Sequence, residues 1–283
     1  MIFDRNEKKE VIALLGAGAM GTAIVKRIAF GKKIFLGDVS QANLDRVTKE
    51  LRTTGYDVDG MIVNALDTES VKAYAQKAAE LGPVKVFIDT AGASPSQASP
   101  EFIIDLDLVA TARAIDIFGE VMAEGGAGLI VSSQTGYMMP LDFETEQELV
   151  NTPLDKIKEL PLIRERAMAN SGAAYMIAKR ANQLHVQRAA ATTWAARRAR
   201  INTISPGIIV TPLAYDEFNA SGEGYQRMID ASPARRVGTP EEIGAAGAFL
   251  LGPEAGFITG TDLLIDGGVI ASIRAGQYEL GRR

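Results

Sequence analysis

Residues 11–15 form an unbroken apolar run, and the six that follow are Gly16-Ala17-Gly18-Ala19-Met20-Gly21. An apolar run of strand length without alternation is the pattern of a strand buried on both faces. A stretch of helical composition follows at 22–30. Strand, Gly-x-Gly-x-x-Gly and helix in that order let a backbone approach a pyrophosphate closely. The helix N-terminus then supplies N–H donors and a positive dipole end. This one stretch predicts an α/β fold with a dinucleotide site at Gly16, Gly18, Ala19, Met20 and Gly21.

The strand–helix alternation then repeats. Strand patterns lie at 33–37, 61–63, 84–88, 129–131, 200–204 and 262–265, with helical patterns at 41–53, 68–81, 101–123, 172–191 and 241–251. Repeated βα units predict a single-domain, Rossmann-type doubly wound parallel sheet with helices on both faces, spanning 1–283. Ligands of such a sheet sit at the C-terminal ends of its strands. The segments 136–170 and 212–236 are too long for simple connections. They are expected to be a lid-like insertion, with a short helix at 154–160, and a substrate loop. The tail from 271 onward has no assigned task.

The second strand runs into Asp38. A carboxylate there accepts hydrogen bonds from both ribose hydroxyls and repels a 2′-phosphate, so NAD(H) is expected in preference to NADP(H). There is no Cys and only one His, His185. That excludes disulfides and thiolate metal sites and disfavours a multi-His metal centre or a Ser-His-Asp triad, so no metal is expected. A net charge of −5 without a basic run argues against nucleic acid and anionic membrane as partners. The first ten residues are too polar for a signal peptide, and no apolar stretch is long enough to span a bilayer; a cytoplasmic location is expected.

Tyr175 and Lys179 stand four residues apart on the helical stretch 172–191, hence on one face. An ammonium beside a phenol favours the phenolate and lowers its pKa. Such a phenol gives a proton to a ketone oxygen or takes one from an alcohol.

Five ordered motifs accompany this pair. They are Asp89-Thr90-Ala91-Gly92; Leu129-Ile130-Val131-Ser132-Ser133; Arg200-Ile201-Asn202 with Pro206-Gly207-Ile208-Ile209-Val210-Thr211; Arg236-Val237-Gly238-Thr239-Pro240-Glu241-Glu242-Ile243; and Thr259-Gly260 through Asp266-Gly267-Gly268. With them the chain resembles the short-chain dehydrogenase/reductase family over roughly 11–269. The resemblance implies an NAD(H)-dependent oxidoreductase acting on a secondary alcohol or its ketone. Tyr175 would be the general acid/base. Lys179 would lower its pKa and bind the nicotinamide ribose, and Ser133 would place the substrate oxygen. Ala91 and Gly92 would line the cofactor site, with Pro206, Gly207, Ile209 and Thr211 around the nicotinamide. Family members mostly form dimers or tetramers through two long helices. The stretches 101–123 and 172–198 look apolar on more than one face, so a homo-oligomer is expected, a tetramer or dimer.

The chain also departs from the family pattern. Its glycine loop is spaced more like that of 6-phosphogluconate or hydroxyacyl-CoA dehydrogenases. Asn64, followed by Ala65, stands where an Asp usually meets the adenine. Asp107 stands where an Asn completes a proton relay through the catalytic Lys; a carboxylate there would also stabilise a protonated Lys179. The long gap between Ser133 and Tyr175 brings Tyr137, Met138, Met139 and Leu141 next to Ser133. That predicts a bulky or mainly apolar substrate, steroid-like in size, contacted by Tyr137, Met138 and Met139; an oligomer contact is the other use of the insertion. Two further functional readings stand beside the oxidoreductase: a non-catalytic dinucleotide sensor of the same fold, and a lyase or epimerase using bound NAD.

Overall fold

The computed structural model describes residues 8–278, with the backbone alone over 212–221. Seven strands, β1 (Val11–Leu15), β2 (Lys33–Asp38), β3 (Asp57–Ile62), β4 (Val84–Asp89), β5 (Met122–Val131), β6 (Arg200–Pro206) and β7 (Asp262–Ile265), pair in the order β3-β2-β1-β4-β5-β6-β7. Every pairing is parallel. The helices in chain order are α1 (Ala19–Ile28), α2 (Gln41–Thr53), α3 (Thr68–Leu81), α4 (Pro100–Ile103), α5 (Thr111–Val121) and α6 (Phe143–Asn151). They continue with α7 (Ser171–Ala191), α8 (Thr193–Ala196), α9 (Pro212–Ala231), α10 (Pro240–Leu251) and α11 (Val269–Arg274). This is the doubly wound parallel sheet that the alternation predicts. Its strand order reverses between β1 and β4, so the loops after these two strands diverge and leave a crevice.

Period-2 alternation divides each strand between two cores. Ile12 and Leu14 of β1 join Ile24, Val47 and Ile243 from α1, α2 and α10 on one face. Val11, Ala13 and Leu15 join Tyr74 of α3, Phe118 of α5 and Trp194 on the other. Each fully buried Ile, Leu, Val or Phe among them contributes roughly 1.5–3 kcal/mol.

Several boundaries differ from the sequence expectation. Helix α1 begins at Ala19 rather than at 22, because Gly18, with extended backbone, is its N-cap. Strand β3 begins at Asp57 rather than at 61. It is an edge strand, and its alternating polar residues include Asp57 and Asp59, which pair with Lys33. The long helical stretch ends at Val121, and Met122 already pairs with Val84 as the start of β5. The helix expected at 154–160 is only one 3₁₀ turn, Ile157–Glu159. The true helix of the insertion, α6, lies upstream, where Asp142 caps it by accepting the Thr145 N–H. Most of 212–236 is helical as well, in α9.

A third apolar cluster lies outside the sheet. Leu149, Val150, Ile157, Leu160, Leu162, Ile163 and Ala167 of the insertion pack on Ala174, Ile177, Ala178, Ala181 and Leu184 of α7 and on 103–109. Ala174, Ile177, Ala178, Ala181 and Leu184 of α7 are thus covered by the chain itself. Among the described residues no helix is long and apolar enough to cross a membrane.

Candidate active site

Two clefts open side by side at the C-terminal ends of the strands. The first, about 460 Å³, is lined by Gly16, Gly18, Asp38, Asn64, Ala65, Ala91 and Gly92 among others. Gly16 adopts φ +82, and a Cβ there would lie 2.6 Å from the backbone N of Ala91. A side chain at 16 would therefore fill the crevice between the β1 and β4 loops. No side chain caps the N-terminus of α1, so its first N–H groups face the loop without intrahelical partners. A backbone cradle beside an uncapped helix start fits the pyrophosphate of a dinucleotide. Gly21 serves differently: it is buried against Leu14, which a Cβ would approach to 2.7 Å. It packs the helix against β1, and it is not among the residues that line the first cleft.

Asp38 closes this cleft at the end of β2. Its Oδ2 accepts the Ala17 N–H at 3.0 Å and the Asn43 amide at 2.8 Å, and its Oδ1 accepts the Ser40 N–H at 2.8 Å. Three protein donors thus hold the carboxylate against the glycine loop. Asn64 turns its side-chain oxygen to the Leu66 N–H at 3.1 Å, and the cleft wall continues through Leu66 and Phe102.

The second cleft, about 200 Å³, brings together Met20, Ser133, Met138, Tyr175, Pro206, Gly207, Ile209 and Thr211. Ser133, two residues beyond β5, keeps an extended backbone, and its Oγ accepts the Thr135 N–H at 3.2 Å, starting the 3₁₀ turn Gln134–Tyr137. Tyr175 stands one turn into α7, whose N-cap Asn170 accepts the Ala173 N–H. The Lys179 ammonium lies 5.2 Å from the centre of the Tyr175 ring. Ser132, buried beside Ser133, donates its hydroxyl to the Lys179 carbonyl at 2.7 Å and fixes the helix against β5. Of the three residues expected at the substrate, only Met138 lines the cleft. The Tyr137 hydroxyl instead donates to Asp262 at 2.5 Å, and Met139 packs on the third apolar cluster. The turn after Ser133 rotates these neighbours away. Ser94, Pro95, Gln134, Thr135, Tyr225 and Met228 also line the cleft; they come from loops, the turn after β5 and α9, and belong to none of the motifs read in the sequence.

Asp107 and Lys179 meet behind the two clefts. Asp107 lies in a π-helical segment, Ile104–Ala110, that joins α4 to α5. Its Oδ1 accepts the Ala93 N–H at 2.8 Å and its Oδ2 lies 3.3 Å from Lys179 Nζ. Burial raises the Asp107 pKa against the pull of Lys179. Burial is the largest single influence on Lys179 and lowers its pKa, but Asp107, Tyr175 and Asp89 together outweigh it and hold the ammonium above its ordinary value. Asp89, fully buried at the end of β4, is pushed up to about 7 by burial, despite the Ala91 N–H bond and the charge of Lys179. His185 is buried on α7, and burial pushes its pKa down to about 4, so it is neutral.

Two family profiles match the chain. The one described as short chain dehydrogenase covers residues 10–143, and the one described as Enoyl-(Acyl carrier protein) reductase covers 160–270. The chain is 38% identical over 266 residues to the short-chain dehydrogenase/reductase bsc3 of Alternaria brassicicola, covering 93% of this chain and 96% of that protein. It is 29% identical to a galactitol 2-dehydrogenase (L-tagatose-forming) of Cereibacter sphaeroides, over 90% of this chain and 93% of that one. Among solved structures, a short-chain dehydrogenase/reductase from Serratia marcescens superposes with a TM-score of 0.73 at 21% identity, over 93% of this chain and 98% of that one, a likeness of fold.

Proposed function

The chain belongs to the short-chain dehydrogenase/reductase family of oxidoreductases, and on that footing we propose that it interconverts a secondary alcohol and its ketone, using NAD(H) in preference to NADP(H). The observation that carries this reading is the meeting of Tyr175, backed by Lys179, with Ser133 in one cleft beside the glycine-loop crevice. The bound nicotinamide would supply the hydride donor or acceptor.

The chain's own residues do the rest. Gly16, Gly18 and the N–H groups of Ala19 and Met20 bind the pyrophosphate. Asp38, Asn64 and Ala65 bind the adenosine end, and Ala91 and Gly92 form the wall between. Pro206, Gly207, Ile209 and Thr211 position the nicotinamide end. Because the Ser133 oxygen accepts from Thr135, its own O–H is left to point at the substrate oxygen and hold it beside Tyr175. The Tyr175 hydroxyl gives that oxygen a proton in reduction and takes one in oxidation. Lys179 supplies the positive charge that favours a phenolate, and Asp107 keeps Lys179 charged. Met138, Met228 and Pro95 in the wall support a mainly apolar, bulky substrate.

The test is a panel of secondary alcohols and ketones, read at the nicotinamide absorbance, on the parent and on Tyr175→Phe. The variant is expected to lose about 10²–10⁴-fold in turnover, with cofactor affinity changed by no more than a few-fold. Turnover retained by the Phe variant overturns the assignment of Tyr175. A panel in which only small charged compounds react overturns the apolar substrate.

A further inference from the structure

The turn that follows Ser133 is tied down from behind by a chain of side chains to which none of the catalytic residues named above belongs. Tyr137, the last residue of the turn, donates to Asp262 Oδ2 at 2.5 Å. The other oxygen, Asp262 Oδ1, accepts the Ser205 hydroxyl at 2.8 Å. Ser205 in turn accepts from Gln183 Nε2 at 3.0 Å, and Gln183 Oε1 accepts from Arg180 at 2.8 Å. Arg180 ends the chain on Glu146 of the insertion, with Nε at 2.8 Å. Gln183 and Ser205 are buried, and Arg180 directly follows Lys179.

Two further contacts place this chain on the catalytic side of the molecule. Gly136, in the middle of the turn, presses on α7: a Cβ there would lie 3.0 Å from Gln183 Nε2 and 3.1 Å from the Arg180 N. The Arg274 guanidinium lies 5.5 Å from the Tyr137 ring centre. The turn is thus caught between α7, which carries Tyr175, and the start of β7, which carries Asp262. Its first hydrogen bond is the one that orients the Ser133 oxygen. An O–H···O⁻ bond as short as that of Tyr137 is of the strong, charge-assisted kind.

We propose that Asp262 is a positioning residue for Ser133: by gripping Tyr137 and Ser205 together it sets the turn against α7 and so aims the Ser133 hydroxyl. This rests on the alcohol/ketone reading of the cleft, since only there does the aim of Ser133 matter. Small displacements of a reacting group cost rate steeply, about 100-fold for 1 Å. Loosening the grip should therefore lower kcat with little effect on cofactor binding.

The experiment compares the parent with Tyr137→Phe, Asp262→Ala and Asp262→Asn. Amide hydrogen exchange of 134–138 reports the turn whether or not a substrate is known. In Asp262→Ala those amides are expected to exchange at least about ten-fold faster, while those of 127–131 in β5 hold their parent rates. In turnover, Tyr137→Phe and Asp262→Ala are expected to lose about 10- to 100-fold in kcat, with cofactor KM within about two-fold. Asp262→Asn keeps an acceptor for Tyr137 and should recover most of that loss; a purely stabilising role would give no such split. Unchanged exchange at 134–138, or kcat within two-fold of the parent in both Tyr137→Phe and Asp262→Ala, overturns the proposal. If the parent turns over no alcohol or ketone, the functional reading fails, and the exchange rates still decide whether Asp262 holds the turn. If Asp262→Ala does not fold, Tyr137→Phe, which removes one hydroxyl, carries both measurements.

Discussion

Lys179 Nζ lies 3.3 Å from Asp107 Oδ2, and the two side chains are 5% and 0% exposed. An ammonium so fully buried needs its counter-charge, and removing one partner of a buried pair costs about 3–5 kcal/mol. Asp107→Leu is expected to lose stability of that order. Asp107→Asn keeps one acceptor oxygen, enough for either the Ala93 N–H or Lys179 but not for both, so it should fall between Leu and the parent. Urea unfolding of the three proteins gives the comparison. A Leu variant as stable as the parent would show that the pair is not what keeps Lys179 charged.

Asp89 makes stability depend on pH in a stated direction. Its folded pKa is about 7, against an ordinary value of 3.8. Between these two the folded state keeps a proton that the unfolded state has released. The stabilisation is complete below 3.8 and is lost as pH rises through 7, in total at most on the order of 4 kcal/mol. Asn at 89 has no proton to lose. Asp89→Asn is therefore expected to gain on the parent between pH 4 and pH 8, visible as a Tm difference that grows by several degrees. Melting curves at intervals of one pH unit measure it, and a difference constant with pH would remove Asp89 as the cause.

The Asp38 carboxylate is held by the N–H groups of Ala17 and Ser40 and by Asn43; on the proposed NAD(H) reading it would stand where a 2′-phosphate would have to sit. Its charge cannot swing aside without breaking three hydrogen bonds. Asp38→Ser removes the charge and leaves room. The ratio of kcat/KM for NADP(H) to that for NAD(H) is expected to rise by about 100-fold, or about 2.7 kcal/mol. Steady-state kinetics with both cofactors decide it; a parent that already prefers NADP(H) would refute the reading of Asp38.

How legible the sequence is depends on how local each signal is. The strand–glycine–helix stretch and the strand–helix alternation behind it are written in short windows, and both appear in the structure. Several motif residues turn out to hold the scaffold rather than to meet ligands. Asn202 bonds the Ile258 carbonyl and the Thr261 N–H, Arg200 caps the carbonyls of Leu250, Gly252 and Ile258, and Thr239 with Glu242 forms a capping box on α10. The direction of Tyr137 is not legible in its own neighbourhood because it depends on Asp262, far along the chain. The same holds for the apolar face of α7. Periodicity shows that it is covered but not by what, and the cover is the insertion. The cleft residues Gln134, Tyr225 and Met228 come from the turn after β5 and from α9, far apart in sequence.

The insertion supplies the last prediction. Ile157 is fully buried in the cluster that joins 149–167 to Ile177 and Ala178 of α7. A lid that opens freely would expose that apolar surface at each opening. A segment packed this way instead belongs to the folded core, and truncating one of its buried side chains leaves a cavity. Ile157→Ala is expected to lower stability by about 2–5 kcal/mol. Because Ile157 lines neither cleft, cofactor affinity should stay within about two-fold, a change of roughly 0.4 kcal/mol. Denaturant unfolding with a cofactor titration on the same preparation tests both halves. A loss below about 0.5 kcal/mol, the range of ordinary surface changes, would mean that the insertion is only loosely held and would return it to the role of a lid.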